Sequence, residues 1–277
     1  MKRFWIIAIN VGGLLLMASV LIYFGAGQIS AKAESDARFT NVLEQQAVLK
    51  LGRKLIKAGD FEGALGKFNE ALDPKYIKSD RDKFEAISSK VDVYVLQGKF
   101  REALKEHDWI FERTPDHQYS IAKHKEILAL NEWEKTKDNK IIYDYISWLK
   151  EYFREQIPPI AYKGYHTTVI STILRLYDTI GDHDAGIAFI DEVLSYGRTQ
   201  KRKRGEDDSI YEKVKTVQDA QQCMDSDWRS KANERFFHAC RFIREYLLVR
   251  EAFEKDKAEG TKGRATQVLI QSDYFPW

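Results

Sequence analysis

The chain has 277 residues, of which 44% are hydrophobic, 31% charged and 13% aromatic, with only 5 prolines and 16 glycines. This composition excludes a disordered or low-complexity chain, because those lack large apolar groups. Lys and Arg number 44 against 42 Asp and Glu, a balance without the basic footprint of a nucleic-acid binder.

The first element is an apolar run. Lys2 and Arg3 precede an uncharged stretch from Phe4 to Phe24. As a helix at about 1.5 Å per residue, that stretch matches the hydrocarbon thickness of a bilayer, roughly 30 Å. Residues 1–28 are predicted to be a transmembrane signal-anchor, contacting the membrane through residues 4–24, with Ala8 and Gly12 as a small-residue pair that permits close helix approach. The basic residues keep the N-terminus cytoplasmic. The rest would be extracytoplasmic, which in a Gram-negative cell means a single-pass inner-membrane protein facing the periplasm. Ala31-Lys32-Ala33 fits a cleavage site, so removal of residues 1–33 is the rival expectation.

A repeat follows. "GDFEGALGKF" at Gly59 pairs with "GKFREALKEH" at Gly98 and, more weakly, with "GDHDAGIAFI" at Gly181. In each, a glycine ends one helical pattern and a second pattern starts at once, which predicts helix–turn–helix units. The first helices carry Val48, Leu51, Gly52 and Leu55, then Ile87, Val91 and Tyr94, then Ile170, Ile173, Leu174 and Tyr177. The second helices carry Ala64/Phe68/Ala71, Ala103/His107/Ile110 and Gly186/Ile190/Val193, and Pro74 and Pro115 follow the first two. Lys90, His107 and Gly186 depart from the pattern of the first copy.

These residues resemble the tetratricopeptide repeat, over about half of the chain. The resemblance implies an all-α fold, an α-solenoid of helical hairpins behind the N-terminal membrane helix, and binding of protein or peptide partners in a groove lined by the first helices. On that reading the groove-facing residues are Gln46, Leu49, Arg53, Glu85, Ser88, Asp92, Thr168, Ser171 and Arg175. Their mixed charges suit an extended, partly polar partner segment better than an acidic tail.

The expected organisation is then the anchor over 1–28, the two best repeats over 29–115, and a degenerate hairpin with the third repeat over 116–200. A C-terminal hairpin covers 201–259 and a tail 260–277. In the degenerate hairpin Ile121, Leu128 and Trp133 mark one helix, and Ile142, Tyr145, Trp148, Leu149 and Tyr152 the next. "GRTQKRKRGEDDS" reads as a charged loop whose acidic end neutralises Lys201–Arg204. Two helices follow, about Asp207–Cys223 and Asp227–Lys257. The tail contains a candidate short strand and ends on Tyr274, Phe275 and Trp277, aromatics expected to be docked on the chain's own last hairpin or on a partner.

Nothing points to catalysis, a cofactor or a metal. The phosphate-loop, nucleophile-elbow and zinc-protease motifs are all missing from the sequence. His117 and His124 are seven apart without a third ligand nearby, and Asp182 and Asp184 suit a helix start. Cys223 and Cys240, placed either side of a turn near Ser226, would differ by roughly 15 Å along an antiparallel hairpin. A disulfide needs Cα atoms within about 7 Å, so two buried free thiols are expected. The function expected is a membrane-anchored scaffold or assembly factor for an envelope complex. Its rivals are a permanent subunit of a membrane machine and, after cleavage, a secreted soluble adaptor.

Overall fold

A computed structural model describes residues 39–77, 79–153, 165–203, 208–225, 234–272, 274 and 275. Among them the protein is all-α, with no strand. The helices are α1 (39–57), α2 (Phe61–Ala71), α3 (Asp80–Leu96), α4 (Phe100–Arg113), α5 (Gln118–Thr136) and α6 (Asn139–Tyr152). Then come α7 (Tyr165–Ile180), α8 (His183–Lys203), α9 (Ile210–Lys213), α10 (Val217–Asp225), α11 (Glu234–Glu259) and α12 (Arg264–Gln271). From α2 to α8 each helix packs on the next in the chain, α8 packs on α11, and α12 returns to lie on α7 and α11. No described helix is long and apolar enough to cross a membrane. The expected anchor over 1–28 lies outside the described residues.

The three repeat turns share one geometry. Gly59, Gly98 and Gly181 have φ of 78°, 71° and 74°, the left-handed region that glycine enters without steric cost. In each, the residue after the glycine donates its N–H to the carbonyl five positions back: Asp60 to Leu55 (2.9 Å), Lys99 to Tyr94 (2.8 Å) and Asp182 to Tyr177 (2.9 Å). The glycine N–H bonds to Ile56, Val95 or Asp178, completing a Schellman cap that satisfies carbonyls the helix would leave free. Asp60 and Asp182 then cap the next helix, accepting from Gly63 N and Ala185 N. The α5–α6 turn uses Lys137 at φ 55° instead of glycine, with Asp138 capping α6.

Helix faces differ from expectation by one step in two places. On α1 the buried line is Gln45, Leu49, Gly52 and Ile56, and Leu51 is 44% exposed. Gly52 sets this rotation, because it receives the Phe68 ring so closely that an added Cβ would lie 2.5 Å from Cε1. On α5, Glu126, Ile127 and Leu130 are buried while Leu128 is exposed. The departures in the repeats have their own partners. Lys90 is buried and pairs with Glu106 of α4 at 2.6 Å. Gly186 receives Phe253 of α11.

The C-terminal third corrects several expectations. α8 runs to Lys203, so the basic stretch begins as helix rather than loop, and Arg198 pairs with Asp208 at 2.9 Å. The helix expected over 207–223 is broken into α9 and α10. Thr216 and Asp219 form a reciprocal cap (3.0 Å each way) that starts a new helix. Cys223 and Cys240 are bonded, with Cα atoms 6.0 Å apart, and are not free thiols. Cys223 on α10 and Cys240 on α11 meet across the contact between these two helices, so the offset expected from a tight antiparallel turn does not apply. The candidate strand in the tail is α12. Its first N–H groups are satisfied from far away: Asp178 of α7 accepts from Gly263 N (2.9 Å) and Thr266 N (2.8 Å), and Asp256 of α11 accepts from Arg264 N (2.9 Å).

Candidate functional site

Helices α3, α5 and α7 are successive first helices of hairpins, and their facing sides enclose a cavity of about 350 Å³. Five of the nine residues expected to face a groove line it: Ser88 and Asp92 from α3, and Thr168, Ser171 and Arg175 from α7. Ser171 and Arg175 are each 4% exposed, so they form the cavity's floor rather than an open rim.

The other four lie elsewhere. Gln46, Arg53 and Glu85 form a half-exposed cluster between α1 and α3. Gln46 Nε2 donates to Glu85 at 2.9 Å, and Arg53 is ion-paired with the same carboxylate. Burial would raise the Glu85 carboxyl, but the bonds from Gln46 and Arg53 outweigh it and hold the group below its usual range. Leu49 is not a groove residue. It is fully buried against Ala64, Phe68 and Ala86, because it shares the α1 face that Gly52 presents to α2.

The tail limits the groove. Arg53 and Asp92 also border a smaller cavity of about 200 Å³, whose other side is Ile270, Ser272 and Phe275. Ile270 packs into the core of α1–α3. Ser272 Oγ donates to Glu245 (2.6 Å), and Phe275 is 2% exposed, edge-on to Tyr246 at 5.4 Å. Tyr274 sits beside it and is half-buried. Trp277 lies outside the described residues. The α1 end of the inner face is thus covered by the chain's own C-terminus, and the α3–α5–α7 part is open.

Several residues that shape the open part carry no local sequence signal. Lys123 Nζ lies 2.9 Å from Asp92 and 3.2 Å from Glu126, and Glu126 in turn holds Arg175. This chain of two cations and two anions joins α3, α5 and α7. Burial pushes Arg175 down to about 10, with Asp92 opposing, so it stays charged at neutral pH. His107 is 2% exposed, and burial with the neighbouring Lys123 charge pushes it down to about 4. It is neutral under physiological conditions. His124 stacks on Phe111 at 4.3 Å, and His117 lines the cavity mouth. Phe84, Tyr119, Tyr145 and Phe153 supply aromatic surface.

Among the described residues, Asp178, His183 and Asp256 bring ligand-type atoms within 4.8 Å of one another. Their carboxylates already hold the start of α12, a structural task.

Comparison of the chain with protein-family models, with curated proteins and with solved structures finds no match in any of the three. The tetratricopeptide resemblance rests on the repeat residues alone.

Proposed function

We propose that this protein is a membrane-anchored interaction scaffold, an assembly factor for an envelope complex. Its hairpins stack as a tetratricopeptide-like α-solenoid and hold a protein segment against the inner faces of α3, α5 and α7. The observation that carries this reading is the convergence of Ser88, Asp92, Thr168, Ser171 and Arg175, from helices far apart in sequence, on one open cavity. The identical Schellman caps at three turns support the repeat. The bond between Cys223 and Cys240 supports an oxidising, extracytoplasmic compartment, since structural disulfides are rare in the cytosol. The apolar run from Phe4 to Phe24 supports the anchor.

A secreted adaptor is the second reading, favoured by Ala31-Lys32-Ala33. The test is purification of the full chain in mild detergent beside a Thr172→Phe variant, whose new ring fills the cavity. The scaffold reading expects a discrete substoichiometric partner that the variant loses. A fixed stoichiometric set would make the protein a permanent subunit instead. A mature N-terminus at Glu34 would make it the adaptor.

A further inference from the structure

The lining of the cavity is part ionic and part aromatic. In the ionic part Asp92, Lys123, Glu126 and Arg175 form a continuous ionic chain with no net charge. A ligand bringing its own carboxylate or ammonium would meet a like charge already paired, and its own charge would enter without a counterion. Arg175 and His107 also line the cavity, on side chains 4% and 2% exposed, but Arg175 Nε and His107 Nδ1 lie too deep for a water-sized group to reach, so neither offers a ligand a hydrogen bond.

Tyr119, Phe153 and Tyr145 add rings to the cavity lining. The Tyr145 hydroxyl is committed to the Ala122 carbonyl at 2.8 Å, so that residue offers apolar surface alone. The volume of about 350 Å³ exceeds that of one side chain and falls at the small end of the ~300–1,000 Å³ range for ligand pockets.

We propose that the cavity takes an uncharged apolar or aromatic side chain of the partner segment. The ring or aliphatic group lies against Tyr119, Tyr145 and Phe153. The net-neutral ionic chain selects against an acidic chain terminus. This assignment rests on the protein-interaction reading above and makes it specific.

The test uses the full chain and two small probes, N-acetyl-phenylalanine methylamide and N-acetyl-phenylalanine, which differ in carrying an amide or a carboxylate. Methyl resonances of Ile110, Ala122, Leu149 and Val169 report on the cavity. Those of Leu65 and Ile243, in other core clusters, serve as controls. The methylamide should shift the four cavity methyls and leave the controls unmoved, and the free acid should bind about tenfold more weakly or less. Thr172→Phe removes no buried charge, fills the cavity and should abolish the shifts. The assignment is overturned if the methylamide moves none of the four methyls at its solubility limit. It is equally overturned if the acid binds as tightly, or if the shifts survive Thr172→Phe. Methyl shifts without any co-purifying partner would instead sink the scaffold reading and leave the site standing.

Discussion

Two glycines in this protein make the same contact by different routes. Gly52 on α1 receives Phe68, and an added Cβ there would lie 2.5 Å from the ring. Gly186 on α8 receives Phe253, where the distance would be 2.6 Å. Both rings are fully buried. In the first case glycine and ring belong to one hairpin, and the contact is visible as a repeat signature. In the second the ring arrives from α11, and within its own repeat Gly186 reads only as a departure. Close approach of helices is thus built locally at the N-terminal end and by long-range return of the chain at the other.

The comparison predicts a difference in reach. Removing either ring should cost about 3–5 kcal/mol, the usual range for a buried phenylalanine truncated to alanine. Phe253→Ala should lower amide protection across α7, α8, α11 and α12, while Phe68→Ala should loosen mainly α1 to α3. If hydrogen exchange shows both losses spread over the whole chain, the division into local and long-range ends is wrong.

Glu126→Gln probes another long-range tie. It strands the buried Arg175 guanidinium, and breaking a buried pair on one side typically costs about 3–5 kcal/mol. Chemical denaturation should show a lower midpoint, whereas a surface-pair variant such as Asp144→Asn, which loses only the exposed pair with Lys140, should change it by less than about 1 kcal/mol. Equal effects would place Arg175 in solvent.

The disulfide comes next in size. Its sequence separation is 17, and opening a loop of that size should cost about 2–4 kcal/mol. Reduction should lower the melting temperature of the wild type, and a Cys223→Ser/Cys240→Ser variant should melt low with or without reductant. Free-thiol titration of the denatured, unreduced protein should find none.

The smallest expected effect concerns repeat equivalence. His107 occupies the position that Phe68 fills in the first copy. Its pKa is pushed down from 6.5 to about 4 in the folded state, so below pH 6.5 the unfolded chain binds a proton that the folded chain refuses. This contribution is fully present above pH 6.5 and is lost as pH falls toward about 4. His107→Phe, which restores the residue of the first copy, should flatten the stability profile in that window relative to wild type. Parallel profiles for the two proteins would show that His107 does not titrate as a buried group.

Helix content and the hairpin turns were legible because their causes are local. Gly59, Gly98 and Gly181 each close a cap whose atoms lie within six residues. Ser88, Asp92, Thr168, Ser171 and Arg175 were reachable by counting along helices. Leu49 was misplaced because a one-residue step rotates a helix by about 100°, and Gly52 rather than Leu51 decides which face meets α2. Glu126 and Lys123 could not be read, since their meaning depends on contacts with other helices. The same holds for α12, whose N-terminal groups are held by Asp178 and Asp256, and for the disulfide, which depends on how α10 packs on α11. Thr216-x-x-Asp219, by contrast, is a local capping signal.

On the proposed function, a partner protein occupies the cavity between α3, α5 and α7. The most direct measurement is photo-crosslinking in the living cell, with a benzophenone side chain placed singly at Phe84 or His117, exposed positions on the cavity lining, and at Asn69 or Lys105 on exposed helix surface away from it. The account predicts that Phe84 and His117 crosslink to one and the same discrete partner, at a yield well above that from Asn69 or Lys105. Crosslinks to that protein that are equally strong from Asn69 or Lys105, or none from the cavity positions, would contradict it.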